Sequence, residues 1–224
     1  MIDPNIQSEL DKVQLHYCSE HMKDTIDALS TIPGAREAVA NGLIRLVNAF
    51  PTDIDTLTKV TLLYDVLTSE ITYNKKQLET HATPYTFLDG LYRNQGVCMG
   101  IAELFTVLAV GLGLACVHVV GYADATVANG AGLHTWNIVL LDDQQWYFLD
   151  PTFDLHKVGV PQHRWFLKCQ KDMRGHHLDD QRLRGELDRW PGGVFPLAQC
   201  SWNAPLPRHP KTAELRQLFR SIRL

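Results

Sequence analysis

Three residue types able to do acyl-transfer chemistry occur in order along this 224-residue chain, each beside a predicted element boundary. Gln95-Gly96-Val97-Cys98-Met99-Gly100 puts a thiol where a loop turns into a helix, His134-Thr135-Trp136-Asn137 opens a strand, and Leu149-Asp150-Pro151-Thr152 closes one. A thiolate is the reactive form of cysteine, and the unpaired N–H groups and dipole of a helix N-terminus favour negative charge there. A histidine can then act as the base and an aspartate can orient and charge it. Each residue alone has a plainer reading: a buried core cysteine, a histidine at a loop end, an Asp-Pro pair ending a strand. Their ordered combination favours the chemical one. Acyl transfer also needs donors for an oxyanion. The backbone N–H of Cys98 is one, and the Gln95 side chain, otherwise a solvated loop amide, is the second candidate.

The elements around these residues follow from spacing. Apolar positions at helical intervals predict helices over 5–31, 35–49 and from about Thr52, as N-cap, to Glu70. Residues 71–83 read as an irregular connection and 85–93 as a short helix. From Cys98, the set Ile101, Leu104, Phe105, Leu108 and Leu112 predicts one buried stripe, with Gly111 and Gly113 as the stop. The pattern then becomes strand-like over 115–122. A small-residue loop over 123–133, a strand over 135–141, a turn at 142–145 and a returning strand over 146–149 follow. A hairpin of that length sets His134 and Asp150 across from one another. Trp136 is expected on the face opposite His134, as core packing. Residues 191–210, rich in proline, read as an extended arm, and 212–222 as a closing helix.

Composition sets the bounds. With 45% hydrophobic and 21% charged residues and a formal charge of -4, the chain has a globular composition without the basic footprint of a nucleic-acid binder. Its most apolar stretch, 101–114, is too short to cross a bilayer, and residues 1–5 lack signal-peptide character. Five cysteines (Cys18, Cys98, Cys116, Cys169 and Cys200) without a CxxC pair argue against a disulfide framework and a structural zinc site. A reducing cytoplasmic location is expected, with delivery into another cell as the alternative. Cys169, His176, His177, Asp179 and Asp180 match no familiar metal spacing, and His176-His177 reads as a solvated segment. No metal and no cofactor are expected.

Gly96-Val97-Cys98-Met99-Gly100, His134-Thr135-Trp136-Asn137 and Leu149-Asp150-Pro151-Thr152-Phe153-Asp154 together resemble the three catalytic blocks of the transglutaminase-like superfamily. Ile71-Thr72-Tyr73-Asn74 is similar to that family's lead-in and Trp165-Phe166-Leu167 to its trailing segment, so the resemblance covers about residues 53–177. It implies an α+β, papain-like core in which a nucleophile helix packs on an antiparallel sheet, with Cys98, His134 and Asp150 as the triad. Met99 departs from the polar or aromatic residue common at that place. The implied organisation is a helical extension over 1–50, a catalytic core over 51–177 and a C-terminal arm and helix over 178–224.

The leading expectation is an enzyme that forms a thioester on Cys98 from an amide: a peptidase or amidase if water accepts the acyl group, a transglutaminase if an amine does, with a protein-glutamine transglutaminase or deamidase as the alternative. A non-catalytic peptide-binding module on the same fold is the alternative of another class. The expected partner is a peptide or protein substrate, with neither nucleic acid nor membrane.

Overall fold

The computed structural model describes residues 33–76, 86–127, 130–155, 162–178, Leu183, Leu187 and 195–222; the helix expected over 5–31 lies outside them. Two helices open the described chain, α1 (Ala35–Ala49) and α2 (Thr56–Glu70). The cap of α2 is Asp55 rather than Thr52: its carboxylate accepts the N–H of Thr58 at 2.6 Å. Aspartate at that place both satisfies an orphan donor and complements the helix dipole. The chain beyond α2 is not wholly irregular, because β1 (Thr72–Tyr73) pairs in parallel with β2 (Gln95–Gly96). Between them lies α3 (Phe87–Arg93), ended by Asn94 in the left-handed region at φ 53°. This short pairing delivers the chain to α4 (Cys98–Gly111), whose end is turned by Gly113 at φ 76°.

Instead of one buried stripe, α4 is buried without a break from Gly100 to Val110. Helices α1, α2 and α3 pack against it on one side and a sheet on the other, which is why its sequence is apolar nearly all round. Leu104 and Phe105 are fully enclosed there, and burying such side chains contributes about 1.5–3 kcal/mol each. The sheet is four-stranded in the order β5-β4-β3-β6, formed by β3 (Cys116–Val127), β4 (Gly130–Leu140), β5 (Trp146–Leu149) and β6 (His176–His177). All its pairings are antiparallel.

Much of the small-residue loop expected over 123–133 is strand: Ala123 pairs with Gly132 and Val127 with Gly130, across a register irregularity. Small side chains do not stop a ribbon whose two strands satisfy each other's backbone groups. A second apolar cluster, including Val119, Trp136, Ile138, Phe148 and Met173, covers the sheet face away from α4. The outer edge of β5 is protected by backbone pairing with Lys168 and with the C-terminal arm, where Trp146 donates to Pro196 and Ala198 donates to Trp146. The chain closes with α5 (Thr212–Ser221), which buries Leu215 and Phe219 and pairs Arg216 and Arg220 with the two oxygens of Glu70. The fold is α+β, with α4 laid on an antiparallel sheet. Among the described residues, no helix is long and apolar enough to cross a membrane.

Candidate active site

Cys98 is the first residue of α4, and its side chain is partly exposed. The first intrahelical bond at this end runs from the Ile101 N–H to the Val97 carbonyl at 3.0 Å. The N–H groups of Cys98, Met99 and Gly100 therefore have no acceptor within the helix, and Val97 has no side chain that could cap them. Unpaired N–H groups at the start of the helix that carries the thiol are suited to receive an oxyanion. Gly100 lets this end of the helix press onto the chain before α3: a Cβ there would stand 2.5 Å from the Thr86 carbonyl oxygen. The neighbour is backbone and cannot swing away. Gly100→Ala is accordingly expected to destabilise the protein by about 1–3 kcal/mol and to displace Cys98, read out as a lower denaturation midpoint together with slower thiol alkylation.

Along β4, residues alternate between two layers. Asn137 reaches α4, donating to the Ala102 carbonyl and to Thr106 Oγ1 at 2.9 Å each, and Thr135 contacts Met99 sulfur. His134 and Trp136 point to the other side. Their rings are stacked with centroids 5.8 Å apart, so Trp136 shares the face of His134 instead of opposing it. Positions two apart on a strand lie on the same side. Trp136 is nevertheless core packing, almost fully buried. Phe153 stacks on the opposite flank of His134 at 4.5 Å and is itself partly exposed.

The β4–β5 ladder pairs Asn137 with Leu149, so one step further Trp136, not His134, stands across from Asp150. His134 meets Asp150 on the diagonal, with Nε2 2.6 Å from Oδ2. Both side chains are buried. Nδ1 is the ring nitrogen left over, and Cys98 stands close enough to His134 to help charge its ring. Cysteine, histidine and aspartate thus lie in one site, running from a partly open thiol to a carboxylate sealed from solvent.

The loop after Asp150 is held by a second acid. Asp154 Oδ2 accepts from the Tyr64 hydroxyl at 2.7 Å and from the Trp165 N–H at 2.8 Å, while Tyr64 also reaches the Asp150 carbonyl at 2.9 Å. The Asp150 N–H donates to the Trp165 carbonyl. These bonds explain an Asp-Pro-Thr-Phe-Asp stretch in which the first acid faces histidine and the second fixes the turn. Sequence reasoning also missed His176. Far from solvated, its side chain is buried, with Nε2 2.9 Å from the same Asp150 Oδ2 that meets His134. Its neighbour His177 is exposed and pairs with Asp124. Alternation on a strand could have separated the two histidines, but β6 is only two residues long and carries no periodicity to read.

Burial works against a charged His134, yet the Asp150 carboxylate and its hydrogen bond, aided by Cys98, push the imidazole up to about 9. Burial likewise opposes charge on Asp150, but His134 and then His176 hold its carboxyl below the usual range. Asp154 behaves differently: burial, with the nearby Asp150 charge, raises it to about 6 despite its hydrogen bonds.

His134, Asp150 and His176 also form a group of metal-capable side chains. An ion bound at about 2.0–2.2 Å to each would hold tetrahedral ligand atoms about 3.3 Å apart. The observed 2.6 and 2.9 Å are hydrogen-bond separations, and both converge on one oxygen. Gln95 lies exposed on β2, three residues before the thiol, with Oε1 accepting from Asn74 Nδ2 at 3.2 Å. The amide nitrogen is the end left to donate.

Residues 45–151 match the model of the Transglutaminase-like superfamily. Among solved structures, it is similar to a protein of Cytophaga hutchinsonii described as a candidate cysteine protease, at 16% identity and a TM-score of 0.43, covering 71% of this chain and 46% of that one. It is also similar to a TGase at 19% identity and a TM-score of 0.40, covering 62% of this chain and 38% of the other. The chain thus spans less than half the length of either. No curated protein matches it.

Proposed function

We propose that the protein is a cysteine-dependent acyl-transfer enzyme that cleaves amide bonds, a peptidase or amidase. The observation that carries this reading is the buried His134–Asp150 pair, 2.6 Å apart, with the partly exposed Cys98 near enough to influence the ring. In the resting site a cationic His134 ring stabilises the Cys98 thiolate. The sulfur attacks the amide carbonyl carbon, and the N–H groups at the start of α4 receive the oxyanion. Collapse of the tetrahedral species breaks the C–N bond, and His134 gives its proton to the departing amine. The now neutral ring takes a proton from water, which attacks the thioester and releases the acid and the thiolate. Asp150 stays ionised throughout, holding the ring and its charge.

Two measurements test this. Among the described cysteines, Cys116 and Cys169 are buried, burial pushes the Cys116 thiol up to about 12, and Cys200 is exposed. Alkylation with iodoacetamide at neutral pH, mapped by mass, is expected to label Cys98 first. Preferential labelling of Cys18, Cys116, Cys169 or Cys200 would sink the proposal. Peptide and glutaminyl substrates followed by intact mass then separate the acceptors. Backbone cleavage supports a peptidase, ammonia loss alone a deamidase, and addition of a supplied amine a transglutaminase. Binding without any turnover or thioester would leave a peptide-binding module.

A further inference from the structure

His176 belongs to a different strand from either partner of the His134–Asp150 pair, yet its side chain ends on their shared oxygen. Asp150 is satisfied three times: Oδ2 meets Nε2 of both histidines, and Oδ1 accepts the Phe153 N–H at 3.1 Å. We propose that His176 is a positioning residue of this site, whose Nε2–H fixes the Asp150 carboxylate in the orientation that holds the His134 ring. The proposal rests on reading Cys98, His134 and Asp150 as the catalytic triad.

The tautomer follows from the surroundings. Nδ1 of His176 is buried with no hydrogen-bond partner among the described residues. A proton on Nδ1 would be stranded there, and the bare Nε2 lone pair would face a carboxylate oxygen. A proton on Nε2 makes a 2.9 Å charge-assisted bond instead. The ring itself is immobilised by aromatic neighbours, with Trp165 at 4.8 Å, Trp136 at 5.1 Å and Phe153 at 5.2 Å between centroids. Two of these, Trp136 and Phe153, also flank His134. One aromatic box therefore holds both histidines at the two sides of a single carboxylate oxygen.

The geometry assigns the two a division of labour. His134 exchanges its proton during turnover, so its bond to Oδ2 weakens whenever the ring is neutral. His176 has no such duty and keeps one donor on Oδ2 at every stage. With Phe153 N–H on the other oxygen, the carboxylate plane cannot rotate while the catalytic ring changes charge.

The rate of Cys98 carboxymethylation by iodoacetamide at neutral pH, mapped by mass, tests this without any substrate. Loss of one donor to a buried charge predicts that His176→Phe slows that rate about tenfold or more. His176→Gln, whose amide nitrogen lies the same number of bonds from the backbone as Nε2, should recover it to within about threefold, whereas His176→Asn, which is too short, should not. On an amide substrate the same series should change kcat and leave KM in place, since the ring touches no substrate. Asp150→Asn is the control. If it slows labelling and His176→Phe does not, the positioning role is refuted and the triad stands. If neither slows labelling, the triad reading fails and takes this inference with it. Should His176→Phe not fold, the Gln and Asn variants decide: equal rates in the two overturn the proposal.

Discussion

Asp150→Asn is expected to lower kcat by roughly three to four orders of magnitude while leaving substrate affinity and the fold nearly unchanged. The comparable change in a serine-protease triad costs about 10⁴-fold, and a cysteine enzyme whose thiolate already exists can lose somewhat less. The reason for so large an effect lies in the two donors that share Oδ2. An asparagine oxygen could accept from both histidines but carries no charge to hold an imidazolium. Turned the other way, its NH₂ would oppose two N–H groups, forcing His134 to move its proton to the nitrogen that faces Cys98. The fold survives because the backbone groups of residue 150 keep their own bonds, its N–H to Trp165 and its carbonyl from Tyr64, and only the Phe153 N–H relies on the side chain. Steady-state kinetics with a far-ultraviolet circular dichroism spectrum of the same preparation checks both halves. A variant with near-normal kcat would remove Asp150 from the mechanism.

Cys98, His134 and Asp150 were legible in the sequence because each sits where local pattern is strong. Cys98 precedes a long apolar helix, and a short polar turn separates the two apolar strands β4 and β5. What local pattern could not supply was the third dimension. Stripe counting treats a helix as having a wet side, but α4 has none, being pressed between three helices and a sheet. Trp136 was assigned the wrong face although strand periodicity alone requires positions 134 and 136 to share one. The hairpin argument found the right pair by an imperfect route, since the ladder sets Asp150 across from Trp136 and the histidine reaches it diagonally. His176 was invisible for a deeper reason: its role depends on a two-residue strand pairing with the far edge of β3, a non-local contact with no sequence signature. Asp154 has no role legible from the sequence and supports the loop after Asp150, bonded to Tyr64 and to the Trp165 backbone.

The second large effect is on stability against pH. An unfolded histidine titrates near 6.5, whereas His134 in the fold is raised to about 9, burial being outweighed by Asp150 and Cys98. Between those values the folded state keeps a proton that the unfolded chain has released. The stabilisation is therefore complete below about pH 6.5 and is lost as pH rises through about 9. For a displacement of that size the loss is on the order of 3 kcal/mol, a large part of the stability of an ordinary domain. Asp150, held low by the same contact, loses its own contribution only as pH falls into the acid range, so the two are one interaction seen from two sides and are not summed. Asp154, raised to about 6 by burial, also makes stability fall with rising pH, but between about 4 and 6. The two windows separate the two groups. Urea unfolding at intervals from pH 6.5 to 9.5 should show the decline, and His134→Gln should flatten it. Over the same range kcat/KM should drop, because a neutral ring has no proton for the departing amine. If stability is flat to pH 9.5 while the His134 variant behaves identically, the charged pairing of His134 with Asp150 is not present in the resting protein.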